Sequence, residues 1–256
     1  MKEKSKERTY QYLLLLFSLA LLALLLGFSL LTVAHIPELM TKEEMQSYDF
    51  TENVGKLNRN LFDFYAEKLY TPEDFASGNT TPPTFTESSD NNDERQYIPY
   101  GTYRLSISLP AGQVYAISAD SATYSQKVWI NGQLLSELGT VADNAEDSVP
   151  KTNHYTICFT ATDAPTEIVV QRANFVHKSG VLFELNIGPQ KQIFQMANAE
   201  LFRSVVALGI LFTAFMFFLG ISFFFPHRKR FLWFSLACLA LGIRNSFVSP
   251  KPVMIL

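Results

Sequence analysis

The side chains that could perform chemistry are scattered along this chain and form no catalytic motif. The four histidines, His35, His154, His177 and His227, lie far apart, and there are only two cysteines. The sequence contains no glycine-rich phosphate loop, no cluster of metal ligands and no nucleophile elbow. Carboxylates are plentiful, but their spacing singles out no acid–base pair of the glycosidase kind. We therefore predict no catalytic residue, no metal and no cofactor.

Five side chains are better candidates for binding a ligand than for catalysing a reaction. Tyr100, Tyr124 and His177 fall in predicted loops, and loops on rigid β-scaffolds often carry binding sites. Arg172 and Asn174 could hydrogen-bond a ligand hydroxyl. Asn174 could equally satisfy the backbone of a neighbouring turn. These five residues form the predicted ligand-binding set.

The candidates lie in or beside a strand-rich block at residues 101–188. Between residues 103 and 109, apolar side chains at odd positions alternate with polar side chains at even positions, which is the period of a half-buried strand. Asn131-Gly132 is a strong hairpin signal, because both positions of a type I′ turn need positive φ. Strands are predicted at residues 103–109, 113–118, 127–130, 133–136, 155–160, 167–171 and 182–187. Many short strands at this spacing predict a β-sandwich or barrel.

Two features precede this block. Thr41 and Glu44 have the spacing of a capping box, so a helix is predicted to begin there. Residues 61–69 fit the apolar face of a helix, but their aromatic residues also alternate as in a strand, and periodicity alone leaves both interpretations open.

Apolar segments flank the strand block on both sides. Residues 13–34 carry no charge, and roughly 22 helical residues span about 33 Å, a full hydrocarbon core. Because signal-peptide h-regions run to only about 7–15 residues, an uncleaved signal anchor is favoured over a cleaved signal peptide. Residues 201–225 and 231–248 are predicted to be transmembrane helices, in which Arg203 and Arg244 are expected to snorkel to the outer interface.

Charge distribution predicts the orientation of these segments. The basic loop at residues 226–230 joins two spans and therefore belongs in the cytoplasm, together with residues 1–12. Residues 35–200 are then extracytoplasmic. Residues 249–256 are expected to be an outer loop and the start of a further span, so the sequence predicts the N-terminal part of a longer protein. Because the net charge is −3, no nucleic-acid partner is predicted. Membrane lipid is the predicted partner of the apolar segments.

Several short motifs resemble those of one bacterial receptor family. They are the run FDFYAEKLYTPEDF at residues 62–75, GTYRL at 101–105, VWING at 128–132, the segment from Ala173 to Gly188, and the apolar run at 231–244. The family is the seven-transmembrane receptors with diverse intracellular signalling modules, whose exported domain resembles a galactose-binding jelly roll. The resemblance extends from about residue 48 to the end of the chain.

The resemblance implies a mainly β exported domain, a jelly-roll or galactose-binding-like β-sandwich, joined to transmembrane α-helices in a bacterial cell membrane. It also implies that residues 57–64 form a strand. The exported domain would bind a small molecule or carbohydrate and relay the signal to a sensor kinase or cyclase module, and such receptors commonly form homodimers. Trp129 could stack on a sugar, although its position in a hairpin strand favours a place in the core.

Two other functions are compatible with the same pattern. A membrane-anchored carbohydrate-active enzyme would need two carboxylates about 5–9.5 Å apart in a cleft. A non-catalytic interaction domain would instead pack its sandwich against its own helices or a partner chain.

Overall fold

The computed structural model describes residue 20 and residues 40–84, 98–121, 124–151, 153–176, 184–224, 229–248 and 254–255. The chain divides into two compact units, one of Pro37–Ala199 with Pro250–Leu256 and one of Met1–Ile36 with Glu200–Ser249. The predicted cytoplasmic residues 1–12, the predicted anchor at 13–34 apart from Ala20, and most of the predicted loops at 226–230 and 249–256 lie outside the described residues.

Ten β-strands occur in the described part of the larger unit. In chain order they are β1 Gly55–Asn58, β2 Asp63–Ala66, β3 Tyr100–Ile107, β4 Val114–Ser121, β5 Ser125–Ile130, β6 Gln133–Leu138, β7 Asn153–Thr160, β8 Thr166–Ala173, β9 Glu184–Pro189 and β10 Met254–Ile255. They form two five-stranded sheets with the orders β1-β9-β4-β7-β10 and β2-β3-β8-β5-β6. All pairs are antiparallel except β7 with β10.

The inner faces of the two sheets share one hydrophobic core. Leu57, Ile117 and Ile187 come from the first sheet, and Val128 and Ile168 from the second, and all five are fully buried. Complete burial of one such side chain contributes about 1.5–3 kcal/mol, so contacts between the sheets supply much of the stabilisation. The larger unit is therefore a mainly β structure with two packed sheets, as the spacing of the strands predicts.

Residue alternation decides which side of β3 faces this core. Leu105 and Ile107 are buried, whereas Ser106 is exposed and Arg104 is half-buried. Arg104 pairs with Glu167 on the neighbouring strand β8, with 2.6 Å between Nη2 and Oε1. The alternation between residues 103 and 109 thus predicts the orientation of this strand correctly, because side chains along a strand point to opposite faces.

A smaller aromatic cluster covers the outer face of the second sheet. It consists of Tyr65, Phe75, Trp129 and Val169, with Tyr70 packed against it. Trp129 is only 8% exposed. This burial places Trp129 in a core, as its hairpin position favours, and its ring is not available to stack on a sugar.

Local sequence signals specify the turns well. Asn131 and Gly132 between β5 and β6 have φ of 49° and 81°, as the predicted type I′ turn requires. Residues 57–64 are mostly extended, but they are divided between β1 and β2 by a 3₁₀ turn at Arg59–Leu61. The strand implied by the resemblance is therefore correct for the first two and the last two of these eight residues and wrong for the turn between them.

Four helices are described with their full bounds. They are α1 Lys42–Ser47, α2 Pro72–Ala76, α3 Gln190–Phe224 and α4 Arg230–Val248. The predicted capping box is present before α1, where the Thr41 amide donates to Glu44 Oε2 at 2.8 Å and the Glu44 amide donates to Thr41 Oγ1 at 3.3 Å. Met254 and Ile255 form β10, at a place where the sequence predicts the start of a further span.

Helix α3 is long and apolar enough to cross a membrane, judged by its length and composition. Its 35 residues correspond to about 52 Å, and it begins at Gln190, well before residue 201 where the apolar run predicts a helix. Large apolar side chains lie exposed along it, including Phe202, Phe212 and Phe223. Helix α4 likewise exposes Trp233.

The two ends of the sandwich differ in what they carry. Ala173 at the end of β8 pairs with Tyr100 and with Ser125, so three strand ends meet at what we call the Tyr100 end. Only three residues separate Ser121 from Ser125, so β4 also runs toward the Tyr100 end. Strand β9 is antiparallel to β4 and runs away from it, to what we call the Gln190 end, where α3 begins.

Candidate functional site

Four of the five predicted ligand-binding residues gather at the Tyr100 end. Tyr100 opens β3, Tyr124 precedes β5, and Arg172 and Asn174 lie at the end of β8. The pairing of these strands brings together residues that are far apart in sequence. The fifth, His177, lies outside the described residues.

Arg172 and Tyr124 are in direct contact. The guanidinium carbon of Arg172 lies 3.6 Å from the centroid of the Tyr124 ring, and each residue is only 6% exposed. Arg172 has the same strand parity as the core residues Ile168 and Val170, so its side chain enters the end of the space between the sheets. Tyr124, which was expected to be accessible in a loop, is therefore buried beneath a cation.

Further polar groups that the sequence analysis missed line this end of the core. Gln126 pairs with Arg172 across the strands, is 1% exposed, and donates a hydrogen bond from Nε2 to the hydroxyl of Tyr155. Burial raises the pKa of Tyr103, while the positive charge of Arg172 opposes that rise. The sequence signal that could have revealed this polar end of the core was Gln126 itself, a polar residue on the same strand face as the core residue Val128.

Two aromatic rings remain partly accessible at this end. The rings of Tyr100 and Phe175 lie 6.2 Å apart between centroids, with 32° between their planes, and both residues are half-buried. Val176 beside them is 60% exposed. This pair, of which only Tyr100 was predicted, is the apolar surface that a ligand could reach.

Asn174 holds the backbone of this region in place. The backbone amide of Asn174 donates to the carbonyl oxygen of Pro99 at 2.7 Å. Its side-chain Oδ1 accepts from the backbone amide of Val176 at 3.2 Å. The residue is 7% exposed. Asn174 therefore satisfies a neighbouring turn, which was the alternative given for it, and this turn positions Phe175.

The described side chains at the Tyr100 end can take part in recognition of a ligand. Guanidinium, amide and phenol groups can hydrogen-bond hydroxyl or carboxylate oxygens, and aromatic rings can stack on an apolar ligand face. Within the described ranges, no group of three or more His, Cys, Asp or Glu side chains could hold a metal ion.

A separate cavity of about 450 Å³ occurs between α3 and α4. Its lining is mostly apolar and includes Leu208, Phe212, Leu239, Gly242 and Ser246. None of the candidate residues that the structure describes lines it, so it is not the predicted ligand site.

Comparison with known proteins does not place the chain in a family. No family model matches the sequence. No curated protein matches it either. The solved structures that it is similar to include three bacterial glycosidases.

A β-glucuronidase from Faecalibacterium prausnitzii is 19% identical over 50% of this chain and 22% of the other, with a TM-score of 0.29. β-Glucuronidase 2 of Bacteroides uniformis is 18% identical over 54% of this chain and 18% of the other, with a TM-score of 0.35. A GH2 β-galacturonidase from Eisenbergiella tayi is 7% identical over 56% of this chain and 26% of the other, with a TM-score of 0.34. The chain thus spans between 18% and 26% of these proteins. With every one of these TM-scores below 0.5, they define neither the fold nor the function of this chain.

Proposed function

We propose that this chain is the sensory region of a bacterial membrane receptor. The sandwich is a galactose-binding-like jelly roll outside the cytoplasm, and its Tyr100 end binds a ligand that carries sugar-like hydroxyls. Helices α3 and α4 cross the membrane and relay binding to a cytoplasmic kinase or cyclase module. The protein class that fits this arrangement is the seven-transmembrane receptors with diverse intracellular signalling modules.

One observation carries the proposal: α3 continues directly from the sandwich while exposing large apolar side chains. Phe202 is 65% exposed and Phe223 is 77% exposed. Surfaces with many exposed aromatic side chains are unfavourable in water and suit a lipid environment. Within the sandwich, α3 begins at the end opposite to Tyr100.

The accessible side chains at the Tyr100 end support a ligand with an apolar face, as a pyranose has. Tyr100 and Phe175 offer half-buried rings to the apolar face. Arg172 lies on the neighbouring strand at the same end, but it is 6% exposed and its strand parity turns it toward the core, so Tyr100 and Phe175 carry the proposed contact with the ligand.

Labelling of a single cysteine in intact cells tests the location of the sandwich. Ser106 on the outer face of β3 is exposed, and Ser106→Cys can be made with Cys158→Ser and Cys238→Ala in the full chain. A membrane-impermeant maleimide should label it in spheroplasts to the same extent as in lysed cells. Labelling that requires lysis would place the sandwich in the cytoplasm and refute the receptor proposal.

A glycan array with the full chain in lipid nanodiscs tests the ligand class. Tyr100→Leu should weaken binding of any glycan hit by up to about tenfold, because an aromatic contact is worth about 0.5–1.5 kcal/mol. Leu134→Ala is the matched control, since Leu134 is exposed on β6 away from the Tyr100 end. If no glycan binds, or if both variants weaken binding equally, the assignment of a sugar to this site is wrong.

A further inference from the structure

Strand β9 and helix α3 form one uninterrupted element. β9 ends at Pro189 and α3 begins at Gln190, with no residue between them. A membrane span needs only about 20 helical residues, whereas α3 has 35. Residues 190–199 belong to the same compact unit as the sheets. The first turns of α3 are therefore a part of the sandwich and exceed what a membrane span requires.

Several contacts fix these first turns to the sandwich. Nε2 of Gln190 lies 3.6 Å from Sγ of Cys158 on β7, and Nε2 of Gln192 donates to the backbone oxygen of Glu52. Ile193 is 1% exposed. Together these contacts hold the first turn of α3 against the strands and the loop that precedes β1.

The other end of the same element lies at the Tyr100 end of the sandwich. Strand β9 lies between β1 and β4 in its sheet, and its first residue, Glu184, pairs with Asn58. Leu185 and Ile187 are 1% and 0% exposed, so β9 is held by the core along its length. Close-packed interiors transmit displacement instead of absorbing it.

We propose that β9 and residues 190–199 are a rigid relay that couples the Tyr100 end of the sandwich to α3. A displacement of β9 at the Tyr100 end moves the start of α3 directly, because there is no flexible linker to absorb it. The use of this relay for signalling rests on the proposed function, whereas its rigidity does not.

Distance measurement between two spin labels tests the relay without any ligand. The full chain, in nanodiscs, carries nitroxides at Ser106→Cys on β3 and Gln195→Cys on α3, both exposed positions. Its native cysteines are replaced by Cys238→Ala and by Cys158→Ser, whose hydroxyl can still accept a hydrogen bond from Nε2 of Gln190. Pulsed EPR should give a single narrow distance distribution. Two glycines inserted between Pro189 and Gln190 add about 7 Å of flexible chain and should broaden the distribution.

The matched control is the same pair of glycines inserted between Asp163 and Ala164, in the exposed loop between β7 and β8. This insertion should leave the distribution narrow. Ile193→Ala, without an insertion, should broaden the distance distribution to an intermediate extent. This variant tests the packing of the first turn of α3 on the sandwich in a protein with an unaltered backbone.

Two results would overturn the relay: a broad distribution before any insertion, or a narrow one that persists after insertion at the junction. Equal broadening by both insertions would also overturn it, because the effect would then be general loosening of the sandwich. Failure of the proposed function is visible separately, since it changes maleimide labelling or glycan binding and leaves the EPR distances unaffected.

Discussion

The contact between Arg172 and Tyr124 should contribute measurably to the stability of the sandwich. The guanidinium carbon lies 3.6 Å from the ring centroid, and both residues are 6% exposed. Cation–π contacts are worth about 0.5–1 kcal/mol at exposed sites and about 2 kcal/mol or more when desolvated. Burial of both partners places this pair near the upper value, so we expect a coupling free energy of about 2 kcal/mol.

A double-mutant cycle measures this coupling, because it cancels the other interactions that each side chain makes. The variants are Arg172→Met, Tyr124→Leu and the double variant, each in a Trp233→Phe background. Trp129 is then the remaining tryptophan, and it is buried in the sandwich. Urea unfolding followed by its fluorescence gives the free energy of unfolding of each variant.

A coupling free energy below about 0.5 kcal/mol would refute the reasoning, since that is the additivity error for independent sites. Combining Arg172→Met with Leu134→Ala provides the control, because Leu134 is exposed on β6 and lies toward the Gln190 end. These two substitutions should be additive.

Three further outcomes are expected. Ile187→Ala should lower the free energy of unfolding by about 2–5 kcal/mol in urea titrations, because Ile187 is fully buried on β9 and its loss leaves a cavity. Gly101→Ala should cost about 1–3 kcal/mol in the same assay, since an added Cβ would lie 2.7 Å from the carbonyl oxygen of Tyr65. The backbone amide and then the hydroxyl of Thr41 hold the pKa of Glu44 below its usual 4.5, so an NMR titration should show a lowered pKa. The folded state binds this proton more weakly than the unfolded chain, so the contribution of the cap to stability is present above the unfolded pKa and is lost as the pH falls through the folded pKa.

Each of these outcomes has its own control. Val114→Ala, at a 41% exposed position on β4, should change stability by less than about 0.5 kcal/mol. Gly209→Ala in α3 adds a Cβ with no atom within 4 Å and should cost nothing. Thr41→Ala removes the hydroxyl but keeps the backbone amide, so it should return the pKa of Glu44 only part of the way toward 4.5. Equal losses from Ile187→Ala and Val114→Ala, no loss from Gly101→Ala, or an unchanged Glu44 pKa in Thr41→Ala would contradict the corresponding structural argument.

Local patterns predicted the secondary structure well because they act between near neighbours. Alternation identified β3, the Asn131-Gly132 pair identified the hairpin between β5 and β6, and Thr41 identified the start of α1. Each depends on side chains within a few residues of one another, either through strand period, turn geometry or a cap. Helix α3 begins before the predicted span at residue 201, because an apolar run marks the part that could enter lipid and does not reveal the polar turns from Gln190 onward.

The candidate site was predicted in part. Tyr100 and Arg172 lie at the same end of the sandwich, yet Arg172 and Tyr124 are buried and Asn174 supports a turn. Phe175 was not singled out, since its pairing with Tyr100 requires β3 and β8 to be neighbours. Accessibility depends on which strands pair, and spacing along the chain does not reveal that.

The sequence by itself determined a strand-rich block between apolar segments, because hydrophobic period and segment length are properties of the chain alone. Only the tertiary structure decided which side chains share the Tyr100 end and how α3 joins β9. The physical reason is that these contacts are distant in sequence: Gln190 meets Cys158 across 32 residues, and Gln192 meets Glu52 across 140. Residues so far apart in sequence come together only when the whole core forms, in which Ile117, Ile168 and their neighbours are buried together.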